Sequence, residues 1–313
     1  MSVERPRALF IGTGGFGVPT LERLAASDHI SLVGIVTAPA RPAGRAQAAM
    51  PSPVEAASAR LGLAEPLRPA RLRDPAAIEA VLDLRPALIV LADYGRIVPP
   101  ELLGLRFGAL NLHPSLLPRH RGASPIAATI VVGDRETGVT LIRMDDGVDT
   151  GPIVAVQRVS LDGDEDAPGL EDRLAAIAGD LLDSTLPDWI AGRLEPRPQD
   201  EAGATMTRPL RRADGRLDPD RPAAALERQV RAYRPWPGSF IDTPLGRLIV
   251  HRGAVGPGET AEPGRIVAHG NGLALVTTDG TLVLEVAQLE GRRPMDAPAL
   301  RRGAPGLVGA VVR

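Results

Sequence analysis

Short apolar runs recur through the first 190 or so positions: Ala8 to Gly12, Leu32 to Val36, Ala87 to Ala92, Ala109 to His113 and Val139 to Met144. Each is strand-sized and bounded by turn residues, which reads as a buried strand. Helix signals fall between them. Pro19 suits the first turn of a helix ending near Ala26, Ser52-Pro53-Val54-Glu55 spells a capping box with proline at the first helical position, and Glu171 to Ile190 has helical periodicity. This alternation predicts an α/β fold, a mostly parallel sheet with helices on both faces.

The pattern changes at residues 194–221, where Pro, Arg and Asp rise and periodicity fades, as in a linker. Ala224 to Tyr233 then reads as a helix. Five short β-like runs follow: Ser239–Thr243, Arg247–His251, Gly264–Val267, Ala274–Thr278 and Thr281–Val286. They predict a small OB-like β-barrel. The expected division is 1–193, 194–221 and 222–313.

Composition narrows the chemistry. The 313 residues contain no cysteine, which excludes disulfides, thiolate metal sites and a cysteine nucleophile. All 36 basic residues are arginine, so no Schiff-base or P-loop lysine exists. No apolar stretch reaches membrane-span length and the N-terminus lacks a signal-peptide pattern, so a cytoplasmic location without membrane contact is expected. The net charge of −2 hides an asymmetry: −7 over residues 1–204 and +5 over residues 205–313. A basic C-terminal module points to a polyanionic partner.

Gly12-Thr13-Gly14-Gly15-Phe16-Gly17 spells a dinucleotide fingerprint, but the second strand ends Val36-Thr37-Ala38-Pro39 without the acidic residue a ribose needs. It reads as a tight turn from strand to helix. More informative is Ala109-Leu110-Asn111-Leu112-His113-Pro114-Ser115-Leu116-Leu117-Pro118. In a strand ending at His113, Asn111 and His113 face the same way, at the carboxyl end where α/β sheets bind ligands. Met144-Asp145-Asp146-Gly147-Val148-Asp149-Thr150-Gly151 is expected to bring Asp149 from the next strand end. An amide to stabilise an oxyanion, an imidazole to move a proton and a carboxylate to orient it suit transfer of a one-carbon acyl group to an amine. No histidine or carboxylate spacing suggests a metal.

These motifs resemble the methionyl-tRNA formyltransferases over nearly the whole chain. The resemblance runs in order through Gly12-Thr13-Gly14-Gly15-Phe16, Arg41-Pro42-Ala43-Gly44-Arg45, Met50-Pro51-Ser52-Pro53-Val54, Asp93-Tyr94-Gly95-Arg96, the two segments above, Arg121-Gly122-Ala123-Ser124-Pro125 and Arg231-Ala232-Tyr233-Arg234-Pro235-Trp236-Pro237-Gly238. It implies a Rossmann-like catalytic domain and an OB-like tRNA-binding domain. It implies 10-formyltetrahydrofolate as co-substrate, no metal, initiator Met-tRNA as acceptor and a monomer. Asn111, His113 and Asp149 fall on its catalytic positions; Ser115, Leu116, Leu117, Pro118 and Tyr94 fall on its folate-binding segments. Arg41 and Arg45 are expected to reach tRNA, with Arg208, Arg211 and Arg212 compensating for a lysine-free stretch, Gly44-Arg45-Ala46-Gln47-Ala48-Ala49. The alternative keeps the chemistry and changes the acceptor to an amino sugar nucleotide or another small amine.

Overall fold

A computed structural model describes residues 5–43 and 48–312. Arg45 lies outside the described residues. The chain forms two compact units. The first takes the chain up to Pro125 together with Glu136–Ser160 and Leu170–Thr207; the second takes Ile126–Arg135, Leu161–Gly169 and the chain from Arg208.

The first unit begins with β1 (Arg7–Gly12), α1 (Val18–Ala26) and β2 (Ser31–Val36). A short hairpin of β3 (Arg41–Ala43) and β4 (Ala48–Met50) follows, then α2 (Pro53–Arg60), α3 (Pro75–Asp83), β5 (Leu88–Ala92) and β6 (Ala109–His113). Along the chain next come β7 (Arg121–Gly122), α4 (Pro125–Val132, counted from Ile126 with the second unit), β8 (Glu136–Arg143), β9 (Ile153–Ser160), α5 (Ala167–Ile190, in the first unit from Leu170) and β10 (Met206–Thr207).

The sheet order is β2-β1-β5-β6-β8-β9. The first four strands are parallel, whereas β8 runs antiparallel to β6 and β9 antiparallel to β8. Alternation sorts the central residues: Leu9, Ile11, Ile89 and Leu91 join a core with Val81 of α3 and with Leu72, Val98 and Leu102. Strands β5 and β6 are buried along their whole length, as strands covered on both faces must be.

Half of the expected capping box forms. Ser52 Oγ accepts from Glu55 N at 3.0 Å and starts α2. Glu55 does not return the bond; its carboxylate takes Arg68 at 2.7 Å instead. Gly12 and Gly17 both press against the carbonyl of Ala92, where a Cβ would come within 2.6 and 2.8 Å. A Cβ on Gly14 would meet the Asp93 carboxylate at 1.7 Å. These glycines serve close packing, and the Asp93 carboxylate lies against Gly14.

The second unit contains α6 (Ala223–Ala232), β11 (Ser239–Thr243), β12 (Gly246–Gly256), β13 (Ile266–His269), β14 (Gly272–Val276), β15 (Thr281–Leu289), β16 (Met295–Asp296) and α7 (Ala297–Gly303). It is an antiparallel sheet of order β11-β12-β15-β14-β13, with β16 beside β15. Register shifts around Arg252 interrupt the β12–β15 ladder, and such bulges bend a strand. Leu226 and Val230 of α6 pack on Leu248, Val250, Leu282 and Leu284 to form its core. Among the described residues, no helix is long and apolar enough to cross a membrane.

Candidate active site

Strand β6 delivers Asn111 and His113 to one face, and both are buried, 7% and 5% exposed. The route of Asp149 differs from the sequence expectation. Because β8 is antiparallel, with Leu110 opposite Arg143 and His113 opposite Thr140, its carboxyl end lies beside the start of β6 rather than its end. The connection from β8 to β9 therefore folds back. Asp149 adopts φ of 54°, and its carboxylate reaches Asn111 and His113. Asp145 braces this loop by accepting from Gly147 N at 3.0 Å and Thr150 Oγ1 at 2.7 Å.

The hydrogen bonds define the atoms available for chemistry. Asn111 Nδ2 donates to Asp149 Oδ1 at 3.1 Å. Gly122 N donates to Asp149 Oδ2 at 2.8 Å. His113 Nε2 lies 2.9 Å from the carbonyl oxygen of His120, which only accepts, so Nε2 carries the proton. In the neutral ring Nδ1 is then the basic nitrogen, 3.6 Å from Asp149 Oδ2. The carbonyl of His120 thus sets the tautomer, a role the sequence reading gave to the carboxylate. His120 itself has φ of 59°.

The segment after β6 is pinned through Thr140 of β8. Thr140 Oγ1 donates to Ser115 O at 2.6 Å and accepts from Leu117 N at 3.1 Å. Ser115 is fully buried, and its hydroxyl donates to Arg119 O at 2.7 Å. Leu116 and Pro118 remain half-exposed. Tyr94 is buried in the core with Leu9, Ile11 and Leu91, and that burial pushes its phenol pKa up. Its neighbours Asp93 and Gly95 are exposed, and both have positive φ.

Residues that sequence reasoning passed over complete the surroundings. Gln199 Nε2 donates to the carbonyls of Asp149 and Gly151, both at 2.7 Å. Arg121, 3% exposed, donates through Nε and Nη2 to Gln199 Oε1 at 3.1 and 2.8 Å and pairs with Glu201 at 2.6 Å. Hydrogen bonding to Glu201 raises the Arg121 pKa, and the same contact holds the Glu201 carboxyl low. Thr205 Oγ1 accepts from His120 N at 2.8 Å. Arg121 belongs to the motif Arg121-Gly122-Ala123-Ser124-Pro125, which by itself assigns it no role, and Gln199 and Thr205 lie in a stretch with no periodicity to mark them.

The residues expected to contact tRNA are Arg41, Arg45, Arg208, Arg211 and Arg212. Arg41 opens β3. In the second unit Arg208 makes a bidentate pair with Asp214, at 2.7 and 2.6 Å, and draws that carboxyl down to about 2. Arg211 donates its backbone N–H to Asp214 at 2.6 Å, and the Arg212 guanidinium lies over the exposed ring of Trp236 at 5.7 Å. Asp162, Asp164 and Glu165 bring carboxylates together, a grouping the sequence reading did not pick out. Burial pushes Glu165 up, but amides including those of Asp162 and Gly163 outweigh it and hold the carboxyl low.

A family model for formyl transferase matches residues 6–186, and one for the formyl transferase C-terminal domain matches residues 209–305. The methionyl-tRNA formyltransferase of Roseiflexus castenholzii (strain DSM 13941 / HLO8) is 44% identical over 301 residues, covering 95% of this chain and 96% of the relative. That of Roseiflexus sp. (strain RS-1) is 42% identical over 305 residues, covering 95% and 92%. Among solved structures, the N-formyltransferase from Helicobacter canadensis in complex with folinic acid and dTDP-3-aminofucose aligns with a TM-score of 0.66 at 15% identity, over 90% of this chain and 98% of that one, a likeness of fold. With both halves matched and the relatives aligned nearly end to end, the chain belongs to the methionyl-tRNA formyltransferase family of folate-dependent enzymes.

Proposed function

We propose that the site transfers the formyl group of 10-formyltetrahydrofolate to the α-amine of methionyl initiator tRNA, with Asn111, His113 and Asp149 as catalytic residues. The observation that carries this reading is the fixed tautomer of His113, whose protonated Nε2 is bound to His120 O and whose basic Nδ1 lies beside a carboxylate.

The amine nitrogen attacks the formyl carbon, the new C–N bond forms, and the carbonyl oxygen becomes an oxyanion. An amide nitrogen carries two N–H groups. One of Asn111's is committed to Asp149, and the other is the donor for that oxyanion. His113 Nδ1 takes the proton from the attacking nitrogen, and Asp149 stabilises the imidazolium. Breaking the bond from carbon to N10 of the folate releases tetrahydrofolate, with the proton passed to N10. The main chain from Ser115 to Pro118 and around Tyr94 holds the pterin, while Arg41, Arg45, Arg208, Arg211 and Arg212 meet tRNA phosphates. In this reading the chain works as a monomer in the cytoplasm.

One observation favours a small amine as acceptor: the stretch Gly44 to Ala49 carries a single positive charge. The test is formyl transfer from 10-formyltetrahydrofolate to charged initiator tRNA, free methionine and an amino sugar nucleotide in parallel. Rapid transfer to the tRNA alone is expected; transfer only to a small amine would replace the acceptor. His113→Ala should lower turnover about 10²- to 10⁴-fold with folate still bound. Near-normal turnover would remove His113 from the mechanism.

A further inference from the structure

We infer that Gln199 is a positioning residue for catalysis, aimed by Arg121, and that it acts on the reaction through Asp149. The inference rests on the site proposed above and adds to it a group that acts through another residue. Asp149 holds φ of 54°, left-handed backbone that few residues with a Cβ adopt, although Asp does so more readily than most. The carboxylate is fixed by Asn111 Nδ2 and Gly122 N, but these bonds do not fix the main chain.

Gln199 does. Its Nε2 reaches the carbonyls of Asp149 and Gly151, both at 2.7 Å, and so clamps the Asp149–Thr150 and Gly151–Pro152 peptides. Its Oε1 takes two N–H groups from Arg121, which fixes the amide orientation so that nitrogen, not oxygen, faces those carbonyls. Arg121 is itself almost wholly buried, and a guanidinium there needs partners for its fork; Glu201 takes two more of its N–H groups, at 2.6 and 2.9 Å. Parallel pairing of β7 with β10 joins the two segments, and the next residue of β7, Gly122, is the one whose amide binds Asp149 Oδ2. The Arg121–Gln199 pair therefore governs both ends of Asp149, its backbone and its carboxylate.

The test is a double-mutant cycle on kcat, with Gln199→Glu as the principal variant. Glutamate keeps the length and an acceptor for Arg121 but turns an oxygen toward two carbonyls. Gln199→Ala is the second variant, and thermal unfolding and equilibrium folate binding accompany both. We expect Gln199→Glu to lower kcat on the order of 30-fold with KM for the folate within about threefold, and Gln199→Ala to do the same to a smaller extent. In an Asp149→Ala background the same substitution should change kcat less than about threefold, because its route is already gone. A kcat within threefold of the parent for both Gln199 variants, or an equal drop in both backgrounds, overturns the inference. If Asp149→Ala alone leaves kcat intact, the catalytic assignment of Asp149 fails first.

Discussion

Asp149 shows what one residue in an unusual conformation asks of its neighbours. Left-handed backbone is uncommon for a residue with a Cβ, though least so for Asp and Asn, and here it is held by bonds from Asn111, Gly122 and Gln199. The return of the loop toward β9 needs glycine for a different reason. A Cβ on Gly151 would come 2.0 Å from the carbonyl oxygen of Arg143, a backbone atom that cannot swing away. Gly151→Ala should therefore lower stability by about 1–3 kcal/mol and displace Asp149. Thermal unfolding reads the first effect and kcat the second; an unchanged kcat in a destabilised variant would show that the loop absorbs the shift. Asn111 and His113 were legible from alternation alone, since period two puts both on one face of an apolar strand. The groups that hold His113 and Asp149 in place were not. His120 O and the amide of Gly122 are backbone groups that any residue supplies, and Gln199 is brought in from a distant stretch of chain.

At the scale of elements, the central strands were read nearly to the residue, because Leu88–Ala92 is apolar throughout and Pro114 stops regular pairing just after His113. The direction of β8 was not readable. The stretch between β6 and β8 contains α4 and has the length of a crossover, so a parallel strand was the natural expectation. The chain makes an antiparallel pair instead, and Asp149 arrives by a folded-back loop. Near the start of the second unit, Arg208 and Asp214 join the short turn Arg212–Gly215 to the chain before it. Hydrogen bonding from Arg208 lowers the Asp214 pKa to about 2, below its ordinary unfolded value. A depressed carboxyl stabilises the fold above that ordinary value and loses its contribution as pH falls toward 2. Arg208→Ala should thus unfold more readily at neutral pH and show a shallower loss of stability between about pH 4 and pH 2. Thermal unfolding across that range checks it, and an unchanged slope would mean that the pair contributes nothing net, as exposed pairs often do.

Across the whole molecule, charge is divided unevenly, with residues 205–313 carrying +5. If that half meets tRNA phosphates, three contacts would weaken tRNA binding on the order of 40-fold between 50 and 200 mM salt, with folate binding nearly unaffected. Equal salt dependence for both ligands would count against phosphate contacts. The pairing of β7 with β10 also bears on where such a chain can be cut and rejoined. The formyl transferase match ends at residue 186, and the loss of periodicity suggests a joint near 193. Yet Gln199, Glu201, Thr205 and β10 all lie beyond those points and belong to the first unit, which runs to Thr207. A chimera spliced at 193 would import its clamp on Asp149 from a foreign parent, whereas one spliced after Thr207 would exchange the second half and leave every group that orients His113 and Asp149 in its native company.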